Sequence, residues 1–298
     1  MRQGGDTVSQ EKRETVLHML KETSIYMMSF VIVTRENNAI VIDGGRPEDM
    51  PSLKECLDGR HISAWILTHP HNDHISGFIE EFKQNRCADF DIERLVYCFP
   101  PYRKWCELSD VPCLDYFRRD IGEMLAAFTE IEEDLAKIAY IPKQGERLQI
   151  DECTVDFLYT YHEGLYSNPC NDASLVFRIT GPQKRVLFLG DLGPEGGDVL
   201  YDESRHLLRA DIVQMAHHGH MCVGMEVYDA IRPEACLWCC PDWLYNEPEL
   251  PTYLVDRERL RRMKRTRMYG VAVTRKWMDT LGARTHYVSC HGPHAIPI

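Results

Sequence analysis

Four times in this chain an apolar run ends abruptly in a carboxylate or a histidine: AIVID at 39–43, ISAWILTHPHNDH at 62–74, VLFLGD at 186–191 and DIVQMAHH at 211–218. Short runs of this kind, bounded by glycine and polar turn residues, read as β-strands, and the almost continuous ISAWIL has the composition of a strand buried on both faces. In α/β folds the loops beyond the carboxyl ends of strands assemble the sites. Asp43, the cluster at 69–74, Asp191 and the pair His217 and His218 can therefore all meet at one sheet edge.

The cluster itself, THPHNDHISG, sets His69, His71, Asp73 and His74 within six residues. Each loses hydration when the chain folds around it, and a packed core gains little from four such groups. A bound cation accounts for all of them. Imidazole nitrogen and carboxylate oxygen suit zinc, manganese or iron, whereas calcium and magnesium call for oxygen throughout. In an extended turn His69 and His71 can point the same way, leaving Asp73 and His74 to face a neighbouring position, so the spacing suggests two metals. A carboxylate such as Asp191 can bridge ions about 3.5–4 Å apart, the separation of two-metal hydrolytic sites. Adjacent strand residues face opposite sides, so one of His217 and His218 is expected to bind metal and the other to support it or donate a proton.

The rest of the chain reads as α/β without repeats or a convincing linker, and 1–298 is expected to be one domain. Residues 25–43 suggest two strands joined at Glu36-Asn37-Asn38. Apolar residues from Leu114 to Ile138 recur at steps of three and four, as in one long amphipathic helix. It forms a helical insertion at about 100–145, preceded by the aromatic stretch FPPYRKW. Tyr102, Arg103 and Trp105 there can either face substrate or pack. Strand-like runs follow at 147–160, 173–180 and 185–190, then at 211–217 and 234–239, with a helical segment at 252–267 and a last strand in THYVSCHG.

Charge narrows the choice of partners. A net charge of −12 disfavours long nucleic acid and anionic membranes, and leaves a small-molecule substrate. No apolar run approaches a membrane span, and MRQGGDTVSQEKRET lacks the core of a signal peptide, so a cytoplasmic protein is expected. The twelve cysteines are scattered and expected to be reduced, with CLWCC (Cys236, Cys239, Cys240) read as buried strand residues.

HPHNDH resembles the H-x-H-x-D-H signature of the metallo-β-lactamase superfamily. IDGG, LGD and HHG resemble its aspartate-glycine, bridging-aspartate and distal-histidine motifs, in the right order from 42 to 219. The resemblance implies a four-layer αββα sandwich with a dinuclear site, two Zn2+ by preference. It implies His69, His71 and Asp191 on the first metal, with Asp73, His74, Asp191 and a histidine of the 217–218 pair on the second. A bridging hydroxide is then the nucleophile, with Asp73 and His218 catalytic. NDASLVFRI and HYVSCHGPHAIPI look most like the hydrolase domain of DNA-uptake competence proteins, which also resembles the phosphorylcholine esterase branch. Many superfamily members supply a further histidine before the bridging aspartate; here that interval offers His162, Asn168, Asn171 and Asp172. The expected activity is hydrolysis of a small phosphodiester. The alternatives are a lactone, thioester or other acyl bond, an iron-dependent oxygenase, or a metal-stabilised module without turnover.

Overall fold

The computed structural model describes residues 13–23, 25–103, 115–164, 169–248 and 269–298, with side chains of the helix at 115–135 described from Ile121 onward. Strands β1 (Val16–Met19), β2 (Ser29–Val33), β3 (Ala39–Asp43), β4 (Ile62–Ile66), β5 (Leu95–Val96), β6 (Ala139–Tyr140) and β14 (His294–Pro297) form one sheet. Its spatial order is β14-β1-β2-β3-β4-β5-β6. A second sheet takes β7 (Arg147–Ile150), β8 (Cys153–Tyr159), β9 (Val176–Thr180), β10 (Arg185–Phe188), β11 (Ile212–Gln214), β12 (Ala235–Trp238) and β13 (Thr285–Val288). The order there is β13-β12-β11-β10-β9-β8-β7.

The two-residue side-chain period explains the layering. Phe30, Ile32, Ile40, Ile42 and Ile66 of the first sheet meet Val155, Phe157, Phe177, Phe188 and Leu237 of the second in one inter-sheet core. The alternate residues Val31, Val41 and Trp65 face outward, under helices α1 (Met50–Leu57), α2 (Asn72–Asn85) and α3 (Asp115–Leu135). Leu187, Val213, Cys236 and Trp238 point the other way, under α4 (Pro194–Ser204), α5 (Met225–Ile231), α6 (Asp242–Tyr245) and α7 (Val271–Leu281). Both faces of both sheets are thus covered, and the layers run helices, sheet, sheet, helices. This is the αββα sandwich that the resemblance implied.

The expected hairpin at 25–43 forms β2 and β3, and the long helix follows the predicted apolar stripe, burying Ile121, Leu125, Phe128, Ile131 and Leu135. Three boundaries differ. The run at 147–160 is two strands, broken where Asp151 takes a left-handed φ of 47° between Ile150 and its partner Cys153. Helix α2 begins at Asn72, inside the histidine cluster, with His71 as its N-cap residue. The last strand of the reading, β13, is followed by another, β14, which crosses to the first sheet and pairs with β1. Its four residues, HAIP, carry a proline tolerated only at an edge, so they give almost no strand signal. The helical segment expected at 252–267 lies outside the described residues, as do Trp105 and Asn168.

Phe188 sits with no exposed surface between Phe177, stacked at 5.1 Å, and Phe30 of the facing sheet, edge-on at 5.2 Å. Phe188→Ala should cost about 3–5 kcal/mol in urea unfolding. A loss under about 1 kcal/mol would mean that the inter-sheet core closes around the gap.

Candidate metal centre

Strand polarity brings the polar strand ends together. β3 runs parallel to β4, and β10 parallel to β11, so within each sheet the carboxyl ends line the same edge. β9 is antiparallel to β10, which puts the residues before it, including Asn171, at that edge too. The two sheets are stitched there by Leu175, whose backbone N–H donates to the Thr68 carbonyl at 2.9 Å. His69 follows β4, His71 caps α2 and Asp73 and His74 lie in its first turn, while Asp191 follows β10 and His217 and His218 follow β11.

Asp191 is the centre of this arrangement. Its Oδ2 lies 3.5 Å from His69 Nε2, 4.0 Å from His71 Nδ1, 4.0 Å from His217 Nε2 and 3.5 Å from His218 Nε2. Its Oδ1 lies 3.3 Å from His74 Nε2. Asp73 Oδ2 adds contacts of 3.0 Å to His218 Nε2 and 3.9 Å to His74 Nε2. Donor atoms at tetrahedral corners about 2.1 Å from a shared ion lie about 3.4 Å apart, close to these separations. Two sets have all donor atoms within 4.8 Å of one another and could each hold an ion: His69, His71, Asp191 and Asp73, His74, His218. Their burial supports this fit, since His74 Nε2 and Asp191 Oδ1 are buried without a hydrogen-bond partner. Orphaned polar atoms of that kind ordinarily cost about 1–3 kcal/mol each.

The surrounding contacts fix which ring nitrogen faces inward. His74 Nδ1–H donates to Asp43 Oδ2 at 2.7 Å, and His218 Nδ1–H to the Cys239 carbonyl at 2.6 Å. His69 Nδ1 faces Thr68 Oγ1 at 3.2 Å. Each contact leaves Nε2 as the ring nitrogen that faces Asp191, the orientation control seen around ligating histidines. Asp43 therefore stands behind His74, also accepting from the Thr68 hydroxyl and amide, each at 2.7 Å, and is not among the inward-facing groups. The Asp191 loop is held by Ser174 Oγ, which accepts its N–H at 3.0 Å, and by the buried Gln214 amide, which donates to the Gly190 carbonyl at 3.0 Å. Gly190 has a φ of 56°, and a Cβ there would lie 2.9 Å from the Ser174 side chain. At Gly77 a Cβ would lie 2.9 Å from the Arg46 carbonyl, so the glycine behind the cluster lets α2 approach the loop after β3.

Electrostatics follow from burial. Desolvation pushes the Asp73 and Asp191 carboxyls up, but the imidazolium of His74, with His218 beside it, pulls both below the ordinary carboxylate range. Burial pulls His218 down, yet Asp191 and Asp73 outweigh it and raise its pKa to about 10. His74 is raised in the same way by Asp191, Asp43 and Asp73. Burial prevails at His69, well below its ordinary value, and at His217, lowered to about 4.

The structure corrects one expectation and redistributes others. His217 and His218 do not alternate as strand residues: β11 ends at Gln214, and both histidines take left-handed φ, 48° and 56°, which turns both rings toward Asp191. His162 stands apart, with Nε2 3.4 Å from Gln144 and 3.8 Å from Glu203. Asp172 accepts the Gly196 amide of α4 at 3.0 Å, a structural tie. Asn171 is at the site, its Nδ2 3.2 Å from His217 Nε2. Tyr102 is 41% exposed. The Cys236, Cys239 and Cys240 thiols are buried and free; Cys236 lies in β12 as expected, whereas Cys239 and Cys240 follow its end. Thr68, Ser174 and Gln214 were missed because isolated hydroxyl and amide residues carry no spacing signal. Tyr26, whose ring lies 4.9 Å from that of His218, was missed because it precedes β2 in an apolar run.

Residues 28–90 match the model of the metallo-beta-lactamase superfamily, a span that includes Asp43 and the histidine cluster. Among proteins of curated function, no sequence matches. Solved structures that share the fold include the following three. The metallo-beta-lactamase fold protein YhfI from Bacillus subtilis has a TM-score of 0.54 at 13% identity, over 94% of this chain and 98% of that one. Igni18, a metallo hydrolase from the hyperthermophilic archaeon Ignicoccus hospitalis, has a TM-score of 0.50 at 13% identity, over 95% and 100%. CmlA, a diiron β-hydroxylase from Streptomyces venezuelae, has a TM-score of 0.51 at 12% identity, over 96% of this chain and 54% of that one. These likenesses show a fold of the metallo-β-lactamase type, and the family model matches the part of it that carries Asp43 and the histidine cluster.

Protons and metal compete for the same nitrogens. Because the His218 pKa is raised to about 10, at neutral pH a metal ion must displace its proton, and affinity should rise with pH until that value is passed. Titrations with zinc between pH 6 and 8.5 should show affinity growing about tenfold per pH unit for each proton displaced, with proton release seen as a buffer-dependent heat. Affinity independent of pH would contradict this competition.

Asp43→Asn should weaken zinc binding about ten- to a hundredfold, because His74 would lose its carboxylate acceptor. Competition with a chromophoric chelator measures it, and unchanged affinity would show that Asp43 serves the backbone of the Thr68 turn alone.

Proposed function

We propose that this chain is a dinuclear metal-dependent hydrolase acting on a small phosphodiester. The observation that carries the reading is the Asp191 carboxylate, buried between two sets of histidine and aspartate donors, with Oδ2 between His69 of one set and His218 of the other and Oδ1 toward His74. His69, His71 and Asp191 would hold one ion, and Asp73, His74, His218 and Asp191 the other. The donor set favours zinc, and suits manganese or iron as well. Two such ions supply Lewis acidity toward the substrate and a water acidic enough to ionise near neutral pH.

The protein's own groups do the rest. His69 and His74 have no exposed surface, whereas Asp73, His71 and His217 are 6–8% exposed, so substrate arrives from their side. Of Asp73 and His218, Asp73 is the more exposed and is the group placed there to hold and move a proton, while His218, its Nδ1–H committed to the Cys239 carbonyl, would serve as ligand. Tyr26, against His218, and Trp243, 5.7 Å from Tyr26 and 55% exposed, offer an aromatic wall for the part of the substrate that does not react. The net charge of −12 disfavours a long polyanion beyond that wall. The likeness of NDASLVFRI and the closing residues to competence-protein and phosphorylcholine esterase hydrolases supports the phosphodiester class.

Both sheets contribute to one core and one site, which supports reading residues 1–298 as a single unit with an inserted helix at about 100–145. Among the described residues no helix is long and apolar enough to cross a membrane. Ten described cysteines are free, and the proposal keeps the cytoplasmic setting expected from the sequence.

The test is metal analysis together with a panel of phosphodiester, phosphomonoester, lactone and thioester substrates. The expected result is close to two zinc ions per chain and phosphodiester turnover that falls more than about a hundredfold in Asp191→Ala, with much of the metal lost. No metal uptake after zinc addition would overturn the reading. Turnover of the lactone or thioester alone would move it to acyl hydrolysis.

A further inference from the structure

The fold brings a fifth imidazole to the metal edge. His217 Nε2 lies 4.0 Å from Asp191 Oδ2, the same distance as His71 Nδ1, which belongs to the first donor set. His217 is only 7% exposed, and its Nδ1 faces the Met221 carbonyl at 3.5 Å, so the lone pair of Nε2 is turned toward the cluster. The amide of Asn171 is the group nearest that lone pair, with Nδ2 3.2 Å away, and Asn171 Oδ1 is buried without a partner.

The backbone at this point is unusual. His217, His218 and Gly219 all take left-handed φ, of 48°, 56° and 92°. For a non-glycine residue each such conformation costs of order 1–3 kcal/mol, and it persists where the surroundings hold it. Here the hold is the His217 amide donating to the Gly190 carbonyl at 3.1 Å, next to Asp191. The result is that two successive rings share one side of the chain: His218 faces Asp73 and Asp191, and His217 faces Asp191 from the side of Asn171. A relaxed extended pair would present only one ring.

We propose that His217 Nε2 is a ligand of the first metal, joining His69, His71 and Asp191, and that it supplies from the β11 turn the imidazole missing between the histidine cluster and Asp191. On metal binding the Asn171 amide yields the lone pair it now occupies, and its side chain remains beside the ring as a positioning group. This inference rests on the metal-dependent reading above, but its test does not use turnover.

Zinc titrations against a chromophoric chelator should give two binding steps in the unaltered protein. His217→Ala should weaken one step about ten- to a hundredfold or more, and leave the other within about threefold. In the doubly altered His217→Ala, Asn171→His protein, an imidazole is restored from the other side of the same contact, and the weakened step should recover. Nitrogen-15 NMR of the imidazoles in the unaltered protein tests the contact without any substitution, because the His217 Nε2 resonance should shift on zinc addition while its Nδ1 stays protonated. An unshifted His217 Nε2 with two zinc ions bound overturns the inference and leaves the hydrolase reading intact. Equal affinities in His217→Ala, with melting unchanged, do the same. If the unaltered protein takes up no zinc at all, both readings fall together.

Discussion

A carboxylate with almost no contact with water, Asp191, governs the rest of this structure. Burying an ionised carboxylate costs several kcal/mol unless opposite charge or hydrogen bonds surround it. The chain surrounds Asp191 with five imidazoles at 3.3–4.0 Å, drawn from both sheets. Apolar burial is non-directional, so it does not by itself single out one placement of the two sheets. The requirement that β4, β10 and β11 deliver their ends to one carboxylate fixes the relative position of the sheets at that edge. Fold and site are one constraint here.

Behind the inward-facing atoms stands a layer that is nearly as buried. Asp43, Thr68, Ser174 and Gln214 each tie a strand end to a neighbour, and each is at most 1% exposed. Gln214 is the most economical: its amide accepts from Leu189 and donates to Gly190 and Met215, so one side chain joins the Asp191 loop to the turn that carries His217 and His218. The Thr68 hydroxyl lies within hydrogen-bonding distance of Asp43, His69 and His74 and links the aspartate-glycine turn to the histidine cluster. Rigid strands hold these contacts to small tolerances, which loops alone would not do.

What was legible in the sequence follows from what has a period or a spacing. Strand ends marked by apolar runs could be read, and so could the cluster at 69–74, Asp191 and the long helix, because a stripe at steps of three and four survives without tertiary information. The reading failed where tertiary contacts override local pattern. β14 exists because β1 offers it an edge, with Leu17 paired to Ile296, and no property of HAIP foretells that. The alternation rule failed at His217 and His218 because the strand stops two residues before them, and the hydrogen bond to Gly190 sets their backbone instead. His162 looked like a candidate by its place in the chain, yet its loop carries it to Gln144, away from the edge.

The cysteines show how the same physics keeps the wrong ligands out. Cys239 lies near the site, since its carbonyl holds His218, but its side chain points into the inter-sheet core, where burial pushes the thiol well above its ordinary pKa. A protonated thiol is a poor metal ligand and a poor nucleophile. Strand alternation sends Cys236 and Trp238 to the outer layer and Leu237 and Cys239 to the inner one, so the chain can place a sulfur beside the site and present only its backbone oxygen. The donors left facing Asp191 are nitrogen and oxygen alone, a set that suits an ion which polarises a substrate, in preference to one that soft thiolates would trap.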